Sequence, residues 1–218
     1  MKKYANFAGM KMRFKPILPA LMMIMLPALL SAQIKVHPVA EYDFQFRYNT
    51  SSEVASPFHG ISAGARVTIP TSNYFSFNLG LQYRYAFTNR PVAYYNIQKG
   101  DASISDHNIE APVTFGVGIP LKNGRRFFID LGPTASFNMY SAMKPSVGVL
   151  GYRVGESYNL HKAGLAQRWN LFGCGTLGCE FSDLLTVKAG YRFGFLNQGS
   201  ETETIKIHSI TAALIFNF

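Results

Sequence analysis

The stretch "FSFNLGLQYRYAF" (Phe75–Phe87) alternates without a slip: Phe75, Phe77, Leu79, Leu81, Tyr83, Tyr85 and Phe87 share one parity. Ser76, Asn78, Gly80, Gln82, Arg84 and Ala86 share the other. Successive strand side chains point to opposite faces, so this segment is a strand with one apolar and one polar side. Two environments accept such a strand. A soluble sandwich buries the apolar face, whereas a transmembrane barrel turns it to lipid and keeps the polar face inside. The rest of the chain has to decide between them.

The alternation recurs. Strands are predicted at Val36–Tyr48, Gly60–Ile69, Phe75–Phe87, Asp106–Ile119, Arg126–Met139, Arg168–Phe181, Leu184–Leu196 and Ile205–Phe218. Short connections at Pro70–Asn73, Pro120–Arg125 and Ser182–Leu184 take turns with long ones at Asn49–His59, Thr88–Ser105, Tyr140–Gln167 and Asn197–Thr204. An up-and-down barrel with short turns at one end and long loops at the other produces that rhythm, and a Greek-key sandwich does not. A strand of about 13 residues, tilted about 40°, rises roughly 34 Å and crosses an apolar band about 25 Å tall. Aromatics gather toward strand ends, as at Tyr83, Tyr85, Phe87, Tyr191, Phe193 and Phe195, where an interfacial girdle needs them. The apolar face is therefore expected to meet lipid.

Residues 1–32 read as a cleaved signal peptide. Lys11, Arg13 and Lys15 precede the apolar run Ile17–Leu30, and Ala32 supplies the small residue before Gln33. Met10 or Met12 is an equally good start. The segment holds five of the 21 basic residues and none of the 12 acids, so the formal charge falls from +9 to +4 on its removal. A strongly basic nucleic-acid surface loses its support with it.

Several pieces look familiar together: "IEAPV" (Ile109–Val113), "IDLGPTAS" (Ile129–Ser136), "LGCEF" (Leu177–Phe181) and "VKAGYRFGFLN" (Val187–Asn197). They resemble strands of the small PorT-like outer-membrane β-barrels, and Phe218 is similar to the terminal aromatic read by the barrel-assembly machinery. The resemblance covers nearly all of the chain after residue 32 and implies the fold. It also implies a possible role beside protein secretion, which some relatives assist. "FGCGTLG" departs from the family's usual small-residue strand by carrying a cysteine.

Chemistry-bearing motifs are few. "GCGTLG" (Gly173–Gly178) spells GxGxxG, but a dinucleotide site needs it at a strand-to-helix turn, and here strand follows. Cys174 and Cys179 are five apart on one strand and face opposite sides, about 17 Å apart, too far for a disulfide or a shared metal. None of His37, His59, His107, His161 and His208 forms a zinc motif. His107 and Ser105 share the lipid-facing parity near the predicted outer rim. They are the only candidate nucleophile–base dyad, of the kind a lipid-A-modifying enzyme would place there.

The polar parity carries the strongest constellation. Glu41, Asp43, Glu110, Asp130 and Glu180 project inward, as do Arg47, Arg66, Arg84, Lys188 and Arg192. A balanced set reads as a salt-bridge network filling the lumen, since buried charges need partners. An open pore would favour one sign along its wall.

The expectation is an eight-stranded antiparallel transmembrane barrel over residues 33–218, both ends in the periplasm, acting through long extracellular loops and monomeric. No enzyme activity, cofactor, metal or nucleic-acid partner is expected. The expected partners are outer-membrane lipid and lipopolysaccharide, the assembly machinery and an unidentified protein at the loops or in the periplasm. A narrow channel, an accessory role in secretion and the Ser105–His107 enzyme are the alternatives.

Overall fold

The computed structural model describes residues 34–51, 53–88, 101–121, 125–149, 152–154, 157–200 and 204–217. The signal peptide expected at residues 1–32, the loop stretch Arg90–Gly100 and Phe218 lie outside them. Ten strands are formed: β1 Lys35–Asn49, β2 Val54–Pro70, β3 Phe75–Thr88, β4 Asp101–Pro120, β5 Arg126–Val149, β6 Tyr152–Val154, β7 Tyr158–Asn159, β8 Trp169–Ser182, β9 Leu185–Gly194 and β10 Ile205–Phe216.

Eight of these strands close on themselves. The order runs β4-β3-β2-β1-β10-β9-β8-β5, and β4 pairs with β5 to seal the ring, every neighbour antiparallel. Closure leaves no open edge whose backbone groups would be stranded in hydrocarbon. The hairpins β2/β3, β4/β5 and β8/β9 make a turn end, and the longer connections β3/β4, β5/β8 and β9/β10 gather at the opposite, loop end. The link expected to be long at Asn49–His59 is instead a tight one over residues 50–53, because β1 runs to Asn49 and β2 starts at Val54.

The opening stretch shows which way the barrel faces. Leu81 is 61% exposed, whereas its neighbours Gln82 and Arg84 are 8% and 2% exposed. Ile61, Leu131, Leu177 and Ile210 are likewise exposed on their strands, while Asp43, Glu110 and Asp130 are buried. The molecule is apolar outside and charged inside.

The long connection between β5 and β8 departs from expectation. It was predicted as a loop from Tyr140; instead β5 continues to Val149, and β7 returns against it at Ala142 and Met143. The turn that follows dips into the barrel mouth. Leu160 is buried with Phe58, Ala102, Ile104, Met143 and Ile205, and Leu165 and Ala166 pack against them. His161 holds the turn in place, with its ring nitrogens against Asn138 Oδ1 at 2.9 Å and the Ala166 carbonyl at 3.0 Å. An apolar cap therefore sits over the loop end of the lumen. At the turn end, Val39, Ala213 and Ile215 form a smaller inward apolar patch.

Candidate functional site

Charges fill the middle of the lumen in three groups. Uppermost, Arg47 Nη2 lies 2.5 Å from Asp106 Oδ2, and Ser141 Oγ donates to the same carboxylate. The Arg47 guanidinium stacks on Phe58, 3.7 Å from the ring centroid, so the apolar cap rests directly on this pair.

The central group is the densest. Arg84 donates from Nε to Asp43 Oδ1 at 2.9 Å and from Nη2 to Oδ2 at 2.6 Å, a two-pronged contact. Its Nη1 reaches Glu110 Oε1 at 3.2 Å. Arg192 Nη1 donates to Glu110 Oε2 at 2.8 Å and lies 3.5 Å from Glu41 Oε1, and its Nη2 is 3.9 Å from Asp43. Five charges from β1, β3, β4 and β9 thus meet across the interior.

Below them Asp130 takes Arg66 Nη2 at 3.0 Å and also Lys188 Nζ. Asn78 Nδ2 donates to its Oδ1 at 3.4 Å. A cavity of about 70 Å3 opens between the central and lower groups, bordered by Glu41, Arg66, Glu110, Asp130, Cys174 and Arg192. A second, of about 20 Å3, lies above the central group. The first holds a few waters at most, and the Arg84–Glu110–Arg192 chain separates the two.

Glycine makes room for this chemistry. Gly60 lies opposite Asp43, and a β-carbon there would overlap the Asp43 carboxylate and approach Arg84 Nη2 within 2.9 Å.

The placement of the predicted residues is as follows. Glu41, Asp43, Arg47, Arg66, Arg84, Glu110, Asp130, Lys188 and Arg192 all join the ion pairs. Glu180 is a correction: it joins no ion pair among the described residues. It stands at the turn end of β8, where the register slips between Glu180 and Ser182, below the lower group. Asp106 was missed. It is the first residue of the predicted strand Asp106–Ile119 and has the inward parity of Glu110, so parity alone could have found it.

Among the described residues, no hydrogen bond joins Ser105 to His107. Both keep the outward parity, but His107 Nδ1 is hydrogen-bonded to the Tyr83 hydroxyl, which lies farther toward the turn end. Ser105 lies in the opposite direction along β4, opposite Phe87 and Ala142. Cys174 and Cys179 are both free; Cys174 faces the lumen beside Thr134 Oγ1 at 3.2 Å. No cluster of metal-ligating side chains occurs among the described residues.

Residues 35–198 match the family model described as "Outer membrane protein beta-barrel domain". No curated protein matches the chain. Among solved structures, the chain is similar to Ail, the attachment invasion locus protein of Yersinia pestis, in complex with a heparin analogue. Identity is 9% over 85% of this chain and 99% of Ail, with a TM-score of 0.48. It is similar to Neisserial surface protein A at 11% identity, over 84% of this chain and 97% of that one, TM-score 0.44. OprG of Pseudomonas aeruginosa shows 8% identity over 84% and 92%, TM-score 0.37.

Proposed function

The chain belongs to the outer-membrane β-barrel family, and from that premise we propose that it is a closed, charge-plugged barrel acting at the cell surface through its loop end. The observation that carries the reading is the central ion-pair group, in which Arg84 and Arg192 bridge Asp43, Glu41 and Glu110 across the lumen. Charges of both signs, matched and packed, occupy the space a conduction path would need. The apolar cap around Leu160 and Phe58 adds a second obstruction above it. The pieces "IEAPV" and "IDLGPTAS" favour a place among the PorT-like small barrels, and membership of that group keeps a role beside secretion as a form of the same surface function. The barrel works as a monomer, with its loop end outside and its termini in the periplasm.

Topology tests this reading. An epitope inserted at Gly164, exposed and at φ 70° in the turn after β7, is expected to be labelled on intact cells. One inserted at Ser72, in the β2/β3 turn, is expected to be labelled only after the outer membrane is permeabilised. The reverse pattern would overturn the orientation.

A further inference from the structure

Three outward-facing histidines share one arrangement. The Tyr42 hydroxyl lies 2.6 Å from His59 Nδ1, the Tyr83 hydroxyl 2.5 Å from His107 Nδ1, and the Tyr191 hydroxyl 2.6 Å from His208 Nδ1. In each case the histidine stands opposite the residue two positions beyond the tyrosine toward the loop end. His59 faces Phe44, His107 faces Tyr85, and His208 faces Phe193. The pairs occupy β1/β2, β3/β4 and β9/β10.

The register also puts the three rings at one height. Hydrogen-bonded partners climb toward the loop end in the direction β1 to β4, since mid-strand Phe44 connects through His59, Phe87 and Ser105 to Ala142. At a tilt of about 40° each strand step climbs about 3 Å, and two residues along a strand climb about 5 Å. His59 lies one step above Phe44, and His208 one step below Phe46. His107 lies two strand steps above His59 and two residues back down. All three therefore fall within about 3 Å of one level, with their tyrosines lower.

The chemistry of each pair is directional. At the edge of the apolar band, a phenol that donates its proton to the histidine Nδ1 beside it keeps a hydrogen bond that is costly to lose. Nδ1 is then the ring's acceptor and the N–H lies on Nε2. That N–H is then held on the side away from the tyrosine. No protein acceptor meets any of the three Nε2 atoms among the described residues.

Cations stand at this level and just above it. Lys206 has the outward parity of His208, two residues nearer the loop end, and its ammonium donates to the Phe195 carbonyl at 2.9 Å. Arg168, exposed beside Trp169, donates to the Met139 carbonyl at 3.1 Å. Between the tyrosines and these cations, no carboxylate of the described residues faces outward; Asp43 and Asp106 point into the lumen. N–H donors at one level beside ammonium and guanidinium groups suit an anion with several acceptor oxygens, on a ligand whose apolar part lies along the barrel wall.

We propose that His59, His107 and His208 form a ring that binds the phosphates of lipid A in the outer leaflet, each imidazole oriented by its tyrosine. The leaflet assignment rests on the orientation proposed above. Phosphate recognition itself does not, and the test is chosen accordingly.

The mature barrel is placed in phosphatidylcholine vesicles containing a minor fraction of lipid A, either bis-phosphorylated or dephosphorylated. Lipid A retained per barrel is then measured after extraction into detergent. The wild type is expected to retain the phosphorylated form several-fold better. The variant H59F/H107F/H208F is expected to lose that preference while keeping heat-modifiable migration in gels. Equal retention of the two lipids by the wild type, or an undiminished preference in a folded variant, would overturn the proposal. Nitrogen NMR of the wild type needs no variant. It is expected to show three rings with the N–H on Nε2 and Nδ1 as acceptor, close to phosphorus only with phosphorylated lipid A. Rings protonated at Nδ1 would overturn it too. Because both leaflets carry the same lipids, a failed surface label would overturn the topology without altering this result.

Discussion

Arg84→Met is expected to lower the free energy of unfolding by about 3–5 kcal/mol, the usual consequence of removing one partner from a buried ion pair. Arg84 is 2% exposed and serves Asp43 with two donors and Glu110 with a third. The central group holds three acids, Glu41, Asp43 and Glu110, against two bases, Arg84 and Arg192. With Arg84 gone, three carboxylates share one guanidinium, with only the small adjoining cavity to admit water. Glu110→Gln is expected to cost less, because it leaves two acids with two bases and keeps acceptor and donor atoms in place. Glu53→Gln, in the exposed turn after β1, is expected to change stability by less than about 1 kcal/mol. Denaturant unfolding from lipid vesicles, followed by the fluorescence of Trp169, the single tryptophan, ranks the three. Equal midpoints for all would contradict the network.

Gly60→Ala is expected to cost about 1–3 kcal/mol, in the range of an overpacked interior. The added methyl takes the place of the Asp43 carboxylate and crowds the Arg84 guanidinium. Its effect should therefore depend on the ion pair. In the Arg84→Met background the same substitution is expected to cost markedly less, because the two-pronged contact that it displaces is already gone. A coupling of about 0.5–3 kcal/mol is the size that contacting residues show. A double-mutant cycle on the same unfolding assay measures it. Strict additivity would show that Gly60 shapes the backbone and not the charge site.

Much of the barrel was legible because lipid imposes a strict period. Leu79, Leu81 and Tyr83 alternate with Asn78, Gln82 and Arg84 for as long as one face meets hydrocarbon and the other a charged lumen. The pattern failed where that contrast ends. Toward the loop end the inward positions of β2 and β4 turn apolar, as at Phe58 and Ile104, both buried. Without alternation these segments read as loops. So β2 was started at Gly60 instead of Val54, β4 at Asp106 instead of Asp101, and β5 was stopped at Met139 instead of Val149. Asp106 was not lost this way: it opens the predicted strand with inward parity and was simply left out of the charge set.

Pairings were harder to read than faces. Parity places Arg84 and Glu110 inside, but only the register, with Gln82 opposite Glu110 and Arg84 opposite Asn108, brings them into contact. Parity likewise put His107 and Ser105 on one face and suggested a dyad. The diagonal from Tyr83 to His107 depends on which residues stand opposite across two strands, and no single segment encodes that. Glu180 shows the converse limit, since a register slip beside it leaves a correctly phased acid away from the charges it was expected to join.

The claim that the lumen is closed is tested most directly by electrical recording. Purified wild-type protein reconstituted into planar bilayers is predicted to give no steady conductance, because Arg84, Arg192 and their carboxylates bridge the interior beneath the cap of Phe58 and Leu160. A stable, ion-selective current through the wild type, persisting at low voltage, would contradict the account and make the same charges the lining of a channel.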